Sequence, residues 1–305
     1  MNHSKHLTRR RLLQLSGLAG ALALTPWAAR PLHAADKLII TAIPDDGDAD
    51  RMREHFGLLA RHLGEAVGRP VEYMHVQNYA ASVTALATGR AHIAWLGAVT
   101  TAQAWQLMGD DLKVLACRDI DKGFVTYFVA HHGADIPEVT DLGELAELAR
   151  DRNWTFTFGS RSSTSSHLMP RKFFMDQSGT TPERVFRRVA YSGSHDVVMQ
   201  MVAQGSYTLG AMNYASWDRA SEALKARAPI VYRSPAFTNY ALTARADLGD
   251  ELLGQLRSAL FDLSDGSEAG QRILGYLGAG AFIPAELSEW ADYKALLESG
   301  IDIGG

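Results

Sequence analysis

Two stretches of this chain match each other. Tyr79-Ala-Ala-Ser-Val83 runs through Leu86-Ala-Thr-Gly89 into His92-Ile-Ala-Trp95. His195-Asp-Val-Val-Met199 runs through Val202-Ala-Gln-Gly205 into Thr208-Leu-Gly-Ala211. Each reads as a helix, a glycine stop and a strand. Each begins ten residues before its glycine with a side chain able to donate a hydrogen bond. The repetition predicts two similar lobes whose helix starts face one another.

The same alternation extends outward from both stretches. Leu38–Ala42 is an apolar strand. Met52, Phe56, Leu59, Leu63 and Val67 fall on one helix face, which Gly68 and Pro70 end. Val71–Val76 reads as a strand, Tyr79–Ala87 as a helix and Ile93–Leu96 as a buried strand. Asp141 with Glu144 resembles a capping box. The pattern predicts α/β layers with largely parallel sheets. Phe124–Ala130 and Tyr240–Thr243 are candidate strands crossing between the lobes. Residues 36–127 with 241–305 then form lobe 1, residues 128–240 form lobe 2, and the helical stretch Glu251 to Glu298 returns to lobe 1.

Chemistry concentrates in Thr155–Pro170, Thr-Phe-Thr-Phe-Gly-Ser-Arg-Ser-Ser-Thr-Ser-Ser-His-Leu-Met-Pro. A short strand, Thr155–Phe158, meets a glycine, then hydroxyl residues crowd Ser160–Ser166, and a helix pattern follows. Free N–H groups and hydroxyls at a helix start form an anion site. Ser163, Thr164 and Ser165 cannot all cap one helix, so some are free to face a ligand. His195 follows a small-residue loop at another helix start and can donate a ring N–H. His167 reads as a supporting group, and Tyr79 adds a phenol.

The chain has 305 residues, 47% hydrophobic and 21% charged, an ordinary globular composition of about two domains. Residues 1–35 read as an export leader. Thr8-Arg-Arg-Arg-Leu-Leu-Gln14 is close to the twin-arginine pattern, an uncharged apolar run reaches Leu24, and Ala34 and Ala35 suit cleavage. Removing Lys5, Arg9, Arg10, Arg11 and Arg30 takes the formal charge from −4 to −9. An acidic mature chain argues against nucleic-acid binding. The single cysteine, Cys117, permits no internal disulfide and reads as a buried, inert thiol. No metal or cofactor motif is present: His-Glu-x-x-His, Cys-x-x-Cys, Gly-x-Ser-x-Gly and the Walker phosphate loop are all absent. His131 and His132, adjacent at a strand end, are expected to point to opposite sides.

Four segments occur in order: Val76-Gln-Asn-Tyr-Ala-Ala81, Ile93-Ala-Trp-Leu-Gly97, Phe158-Gly-Ser-Arg-Ser-Ser-Thr-Ser-Ser-His-Leu-Met-Pro-Arg171 and Tyr191-Ser-Gly-Ser-His-Asp196. Together they resemble the phosphate/phosphite/phosphonate periplasmic binding proteins of ABC importers, in particular a branch labelled selenate-type. The resemblance implies a two-lobed periplasmic-binding-protein fold, with two mixed sheets flanked by helices and a two-strand hinge. It implies a monomer that serves an inner-membrane permease from the periplasm, with no enzymatic step. It implies that Ser163, Thr164, Ser165 and His195 hold a tetrahedral oxyanion from one lobe and Tyr79 from the other. The family often has a tyrosine at the first crossing strand. Phe124 stands there, and Thr126 or Tyr127 are the replacement hydroxyls. Ser166, where the family has glycine, adds a donor or tightens the turn.

The segments Met212–Trp217 and Phe237–Tyr240 hold no carboxylate to face an amine, whereas Trp217 and Tyr240 suit a small or apolar group. The expected ligand is therefore phosphite, phosphate, a simple phosphonate or selenate. The competing functions are a sensor that presents the bound anion to a receptor kinase and a phosphoester hydrolase.

Overall fold

Short apolar runs become strands and amphipathic runs become helices in close succession. The computed structural model describes residues 37–264 and 267–299, which belong to one contact unit. The expected leader, residues 1–35, lies outside the described residues. The chain begins with β1 (Leu38–Ala42), α1 (Ala49–Val67), β2 (Val71–Met74), α2 (Tyr79–Ala87), β3 (Ile93–Leu96), α3 (Ala98–Met108), β4 (Leu112–Arg118) and β5 (Thr126–Ala130). It continues with α4 (Leu142–Ala149), β6 (Thr155–Phe158), α5 (Met169–Ser178), α6 (Pro182–Val185), β7 (Arg188–Tyr191), α7 (His195–Ala203) and β8 (Leu209–Asn213). Then come α8 (Tyr214–Arg219), α9 (Glu222–Arg227), β9 (Ile230–Arg233) and β10 (Ala241–Arg245). Last are α10 (Asp250–Phe261), α11 (Glu268–Leu277), β11 (Phe282–Ile283) and α12 (Ala291–Glu298).

Local signals explain the boundaries. Asp48 caps α1 by accepting from Asp50 N and Arg51 N, and Gly68 ends it in the left-handed region at φ +66°. Met52, Phe56, Leu59 and Leu63 form its buried face. Asp141 caps α4 through Gly143 N and Glu144 N.

The strands make two mixed sheets, one per lobe. The first has order β11-β4-β10-β3-β1-β2 and the second β7-β6-β8-β5-β9. Within each sheet the βα units pair in parallel: β1 with β2 and β3, and β6 with β7 and β8. The strands arriving from the opposite lobe, β5 and β10, pair antiparallel with both neighbours. The sheets are thus less parallel than the βα alternation alone predicts, because a chain crossing from the hinge enters each sheet from the other end. A large apolar cluster packs on the first sheet. Two smaller clusters cover the faces of the second, one around Phe128, Phe156 and Phe158, the other around Val129, Val198 and Met212.

The chain crosses twice, between β4 and β5 and between β9 and β10. Phe124 and Phe237 exchange both backbone hydrogen bonds there, at 3.0 and 2.9 Å. Arg118 and Asp121 form a buried fork at this point, Nε to Oδ2 at 2.9 Å and Nη2 to Oδ1 at 2.6 Å. Asp121 also accepts from Tyr240 N, and its carbonyl accepts from Asn239 N. One ion pair therefore ties both crossing segments.

Cys117 lies buried in β4, and burial pushes its thiol up to about 12, so it stays protonated and unreactive. His131 and His132 do not diverge. They lie just past the end of β5, where a tight turn replaces the pleat, and their rings are 4.7 Å apart. Among the described residues no helix is long and apolar enough to cross a membrane.

Candidate functional site

The loops that leave β1, β3, β6 and β7 at their carboxyl ends converge between the lobes, where open α/β sheets bind ligands. The hydroxyl run becomes a π-helical turn, Thr164–Leu168, leading into α5. Wide turns of this kind recur at functional sites. Its hydroxyls divide their work. Ser163 caps the turn, accepting from Ser166 N at 3.1 Å. Ser166 is wholly internal: its Oγ accepts from Gly159 N at 2.6 Å and donates to Ala211 O. It tightens the turn and so is committed to the protein. Gly159 must be glycine for this, because a Cβ there would sit 2.5 Å from Ser166 Oγ. The Ser165 carbonyl accepts from Thr126 Oγ1 at 2.6 Å, fixing the turn onto β5.

Thr164 reaches the other lobe. Its Oγ1 accepts from Val99 N at 2.9 Å, at the start of α3. The N-cap of α3 is Gly97, which has no side chain to supply this bond, so a hydroxyl from the opposite lobe caps the helix. Asn239 serves the same helix start, its Oδ1 accepting from Ala98 N at 3.4 Å. Trp290 Nε1 anchors the Asn239 carbonyl at 2.7 Å. The Asn239 Nδ2 donor is buried and has no hydrogen-bond partner among the described residues.

The helix starts of α2 and α7 face each other, as their matching sequences predict. Asn78 and Tyr79 line one cavity of about 340 Å³ together with Ser194 and Val197. The buried Tyr79 phenol lies within hydrogen-bonding reach of Ser163. Burial, then the charge of Asp45, pushes its pKa well above the ordinary tyrosine value, so it remains an O–H donor. His195 is buried, and its Nδ1 accepts from Asn213 N at 3.0 Å. That bond places the ring proton on Nε2, which is buried without a partner among the described residues. Burial, helped by the charge of Arg219, pushes the imidazole down to about 3. His195 is thus a neutral N–H donor throughout the physiological range.

A second, smaller cavity of about 30 Å³ meets this group through Asn213, the partner of His195, and is lined also by Asp45, Asp46, Arg118, Phe124, Arg219 and Tyr240. Tyr240 stacks on Trp95 at 5.1 Å and meets Phe124 at 5.5 Å, forming an aromatic wall. Behind it the Arg118 guanidinium lies 4.6 Å from the Tyr240 ring centre. The Tyr240 hydroxyl donates to Asp45 Oδ2 at 2.8 Å. Burial raises the pKa of the Asp45 carboxyl, with Asp46 adding to the effect and the Tyr240 hydrogen bond opposing it.

At the cleft mouth, Arg51 forks onto buried Asp46 and reaches Asp196 of lobe 2 at 3.1 Å. Burial and the nearby Asp46 push Asp196 up to about 6.

Not every residue singled out from sequence joins this group. Tyr127 packs on Tyr214 and Trp217, with Arg233 over its ring, on the face of β5 opposite Thr126. The Trp217 indole donates to Ala228 O and packs beside Lys225, away from the cavity. His167 supports the turn from behind, its Nδ1 at 2.6 Å from Arg161 O and its Nε2 at 3.1 Å from the Tyr191 hydroxyl. Four cleft residues escaped the sequence reading: Asp45, Arg118, Arg219 and Asn239. Their signal was positional, since Asp45 and Arg118 follow or end strands on the ligand side of a sheet. Asp45 lies outside the two segments, Met212–Trp217 and Phe237–Tyr240, that hold no carboxylate.

Residues 40–290 match the family model for the periplasmic substrate-binding protein of phosphonate ABC transporters. The chain belongs to this family. Its members are solute-binding components of importers and not enzymes, and their place is the periplasm. A relative from Prochlorococcus marinus (strain MIT 9301), named "Probable ABC transporter phosphite binding protein PhnD1", is 29% identical over 279 residues, covering 88% of this chain and 91% of its own. The solved structure of that organism's PhnD1 in complex with methylphosphonate has a TM-score of 0.79 at 30% identity, covering 87% of this chain and 97% of its own. A binding-protein component of an ABC phosphonate transporter from Pseudomonas aeruginosa shares the fold, with a TM-score of 0.74 at 18% identity and 86% of each chain covered.

Proposed function

We propose that this protein captures phosphite or a small phosphonate between its lobes and delivers it to an inner-membrane permease. The observation that carries the reading is the His195 Nε2 donor, buried and without a partner among the described residues, on a ring held by Asn213 of the small cavity's lining. A buried donor left unpaired costs about 1–3 kcal/mol, which an anionic oxygen would recover. In this reading Tyr79, which lines the larger cavity and lies within reach of Ser163, and the Ser163, Thr164 and Ser165 turn would complete a set of neutral donors. Phe124 and Tyr240 wall the small cavity, and Tyr127 stands behind the wall.

The small cavity holds room for only two or three water-sized groups, on the scale of ~10–15 Å³ each. That favours a ligand of a few heavy atoms. Lobe 1 would comprise residues 36–127 and 241–305, lobe 2 residues 128–240, and export would follow the twin-arginine route read from residues 1–35. The protein would act as a monomer without nucleic acid.

A thermal-shift panel of phosphite, methylphosphonate, phosphate, aminoethylphosphonate, selenate and sulfate tests the reading, because a ligand that binds only the folded state raises its melting temperature. Phosphite and methylphosphonate are expected to raise it most. No shift with any tetrahedral oxyanion would refute the proposal.

A further inference from the structure

Two acidic side chains, Asp45 and Asp46, line the small cavity; Arg51 forks onto Asp46, whereas Asp45 has no cationic hydrogen-bond partner among the described residues. Asp45 follows β1 and lines the small cavity beside the aromatic wall. Asp45 is half-buried, and among the described residues its carboxylate accepts one side-chain hydrogen bond, from Tyr240 at 2.8 Å. A carboxylate offers about four acceptor positions, so several remain for a donor in the cavity. An ionised carboxylate and a fully ionised oxyanion in contact would repel strongly at low dielectric. One proton between them turns that repulsion into a charge-assisted hydrogen bond.

We propose that Asp45 is a specificity residue that accepts a hydrogen bond from a P–OH group, so that the site takes its oxyanion as the monoprotonated species and rejects anions that carry no proton, such as selenate and sulfate. The proposal rests on the phosphite and phosphonate reading above.

The alternative donor is an ammonium group on the ligand. The size of the cavity disfavours it. Asp45 and Asp46 balance Arg118 and Arg219 in the lining, but about 30 Å³ leaves little space for an aminoalkyl tail beside the anion. A P–OH group needs no such space. The raised pKa of the Asp45 carboxyl agrees with a group poised to share a proton. Its charged and titratable neighbours are Asp46, Arg118 and Arg219, with Tyr73, Tyr79, Tyr240 and Tyr276 also within its field. The tyrosines are all raised above their ordinary value of 10.0, His195 sits at about 3 and Asp196 at about 6. From pH 7 to 9 His195 stays neutral and the tyrosines stay protonated, while a phosphonate loses its second proton nearby, at about 6 for a phosphate ester and higher for an alkyl phosphonate.

The test is calorimetric titration of the mature protein with methylphosphonate at pH 7, 8 and 9, and with selenate at pH 7. The Kd for methylphosphonate is expected to rise toward about tenfold per pH unit once the ligand's second proton has left, and selenate is expected not to bind. In Asp45→Asn the pH dependence should flatten, and selenate should bind. Circular dichroism checks that the variant is folded, and the wild-type pH series and selenate titration stand without it. A Kd unchanged from pH 7 to 9, or selenate bound as tightly as methylphosphonate, overturns the inference while leaving the capture reading intact. So does a preference for aminoethylphosphonate that Asp45→Asn abolishes, since the donor would then be the amine. Failure of both phosphite and methylphosphonate to bind at pH 7 overturns the inference together with the reading.

Discussion

Replacing Thr164 by valine removes one oxygen and keeps the shape of the side chain. In the structure that oxygen caps α3 of the opposite lobe, accepting from Val99 N at 2.9 Å, and the residue is buried. Without it the Val99 N–H has no acceptor in the closed form, because Gly97 cannot replace the cap. Losing a threonine cap costs about 0.5–2 kcal/mol, and leaving a buried donor unpaired costs about 1–3 kcal/mol. When the lobes separate, water can reach the same N–H, so the penalty falls on closure and leaves the fold of each lobe alone. Closure is what holds the ligand. A cost of about 1–3 kcal/mol therefore appears as a rise in Kd of roughly five- to 150-fold, since 1.4 kcal/mol is tenfold. Isothermal titration with methylphosphonate measures it. Thr164→Ser keeps the hydroxyl and should stay within about threefold of wild type on the same scale. A Thr164→Val protein binding within twofold of wild type would refute the reasoning that this cross-lobe cap stabilises the closed state.

Two further predictions concern stability. His195 has a folded pKa of about 3 against an ordinary 6.5, so the unfolded chain binds its proton first. Its contribution is complete above pH 6.5 and is lost as pH falls toward 3, at about 1.4 kcal/mol per unit. The difference in urea stability between wild type and His195→Gln should therefore shift by this slope between pH 6.5 and 5, and a constant difference would contradict burial of a neutral ring. Asp121→Ala strands the buried Arg118 guanidinium and unties both crossing segments, which should cost about 3–5 kcal/mol in urea unfolding. A loss below about 1 kcal/mol would show that the pair does not anchor the hinge.

Much of the fold was legible because local signals agreed with it. β1, α2, β3 and β6 were read with the bounds the structure gives them, since each apolar run meets a glycine, a cap or a turn. The parallel pairing was read too broadly, because helix–strand alternation carries no mark of a strand that arrives from the other lobe. The candidate site was legible only in its local parts. Hydroxyls crowded at a helix start and a histidine at a matching start announce themselves locally. Asp45 does not, because its partner Tyr240 is 195 residues away and only the closed topology joins them. Tyr127 and Thr126 looked interchangeable as hydroxyls, but the pleat of β5 sends Thr126 to the Ser163 turn and Tyr127 to Trp217.

The central claim is that neutral donors from two opposed helix starts hold a small oxyanion between the lobes. A crystal structure of the protein with methylphosphonate tests it directly. The phosphonate oxygens should lie within about 3.2 Å of His195 Nε2, the Tyr79 hydroxyl and the Ser163–Ser165 turn, with one oxygen against Asp45. A ligand seated away from both His195 and Tyr79 would contradict the account.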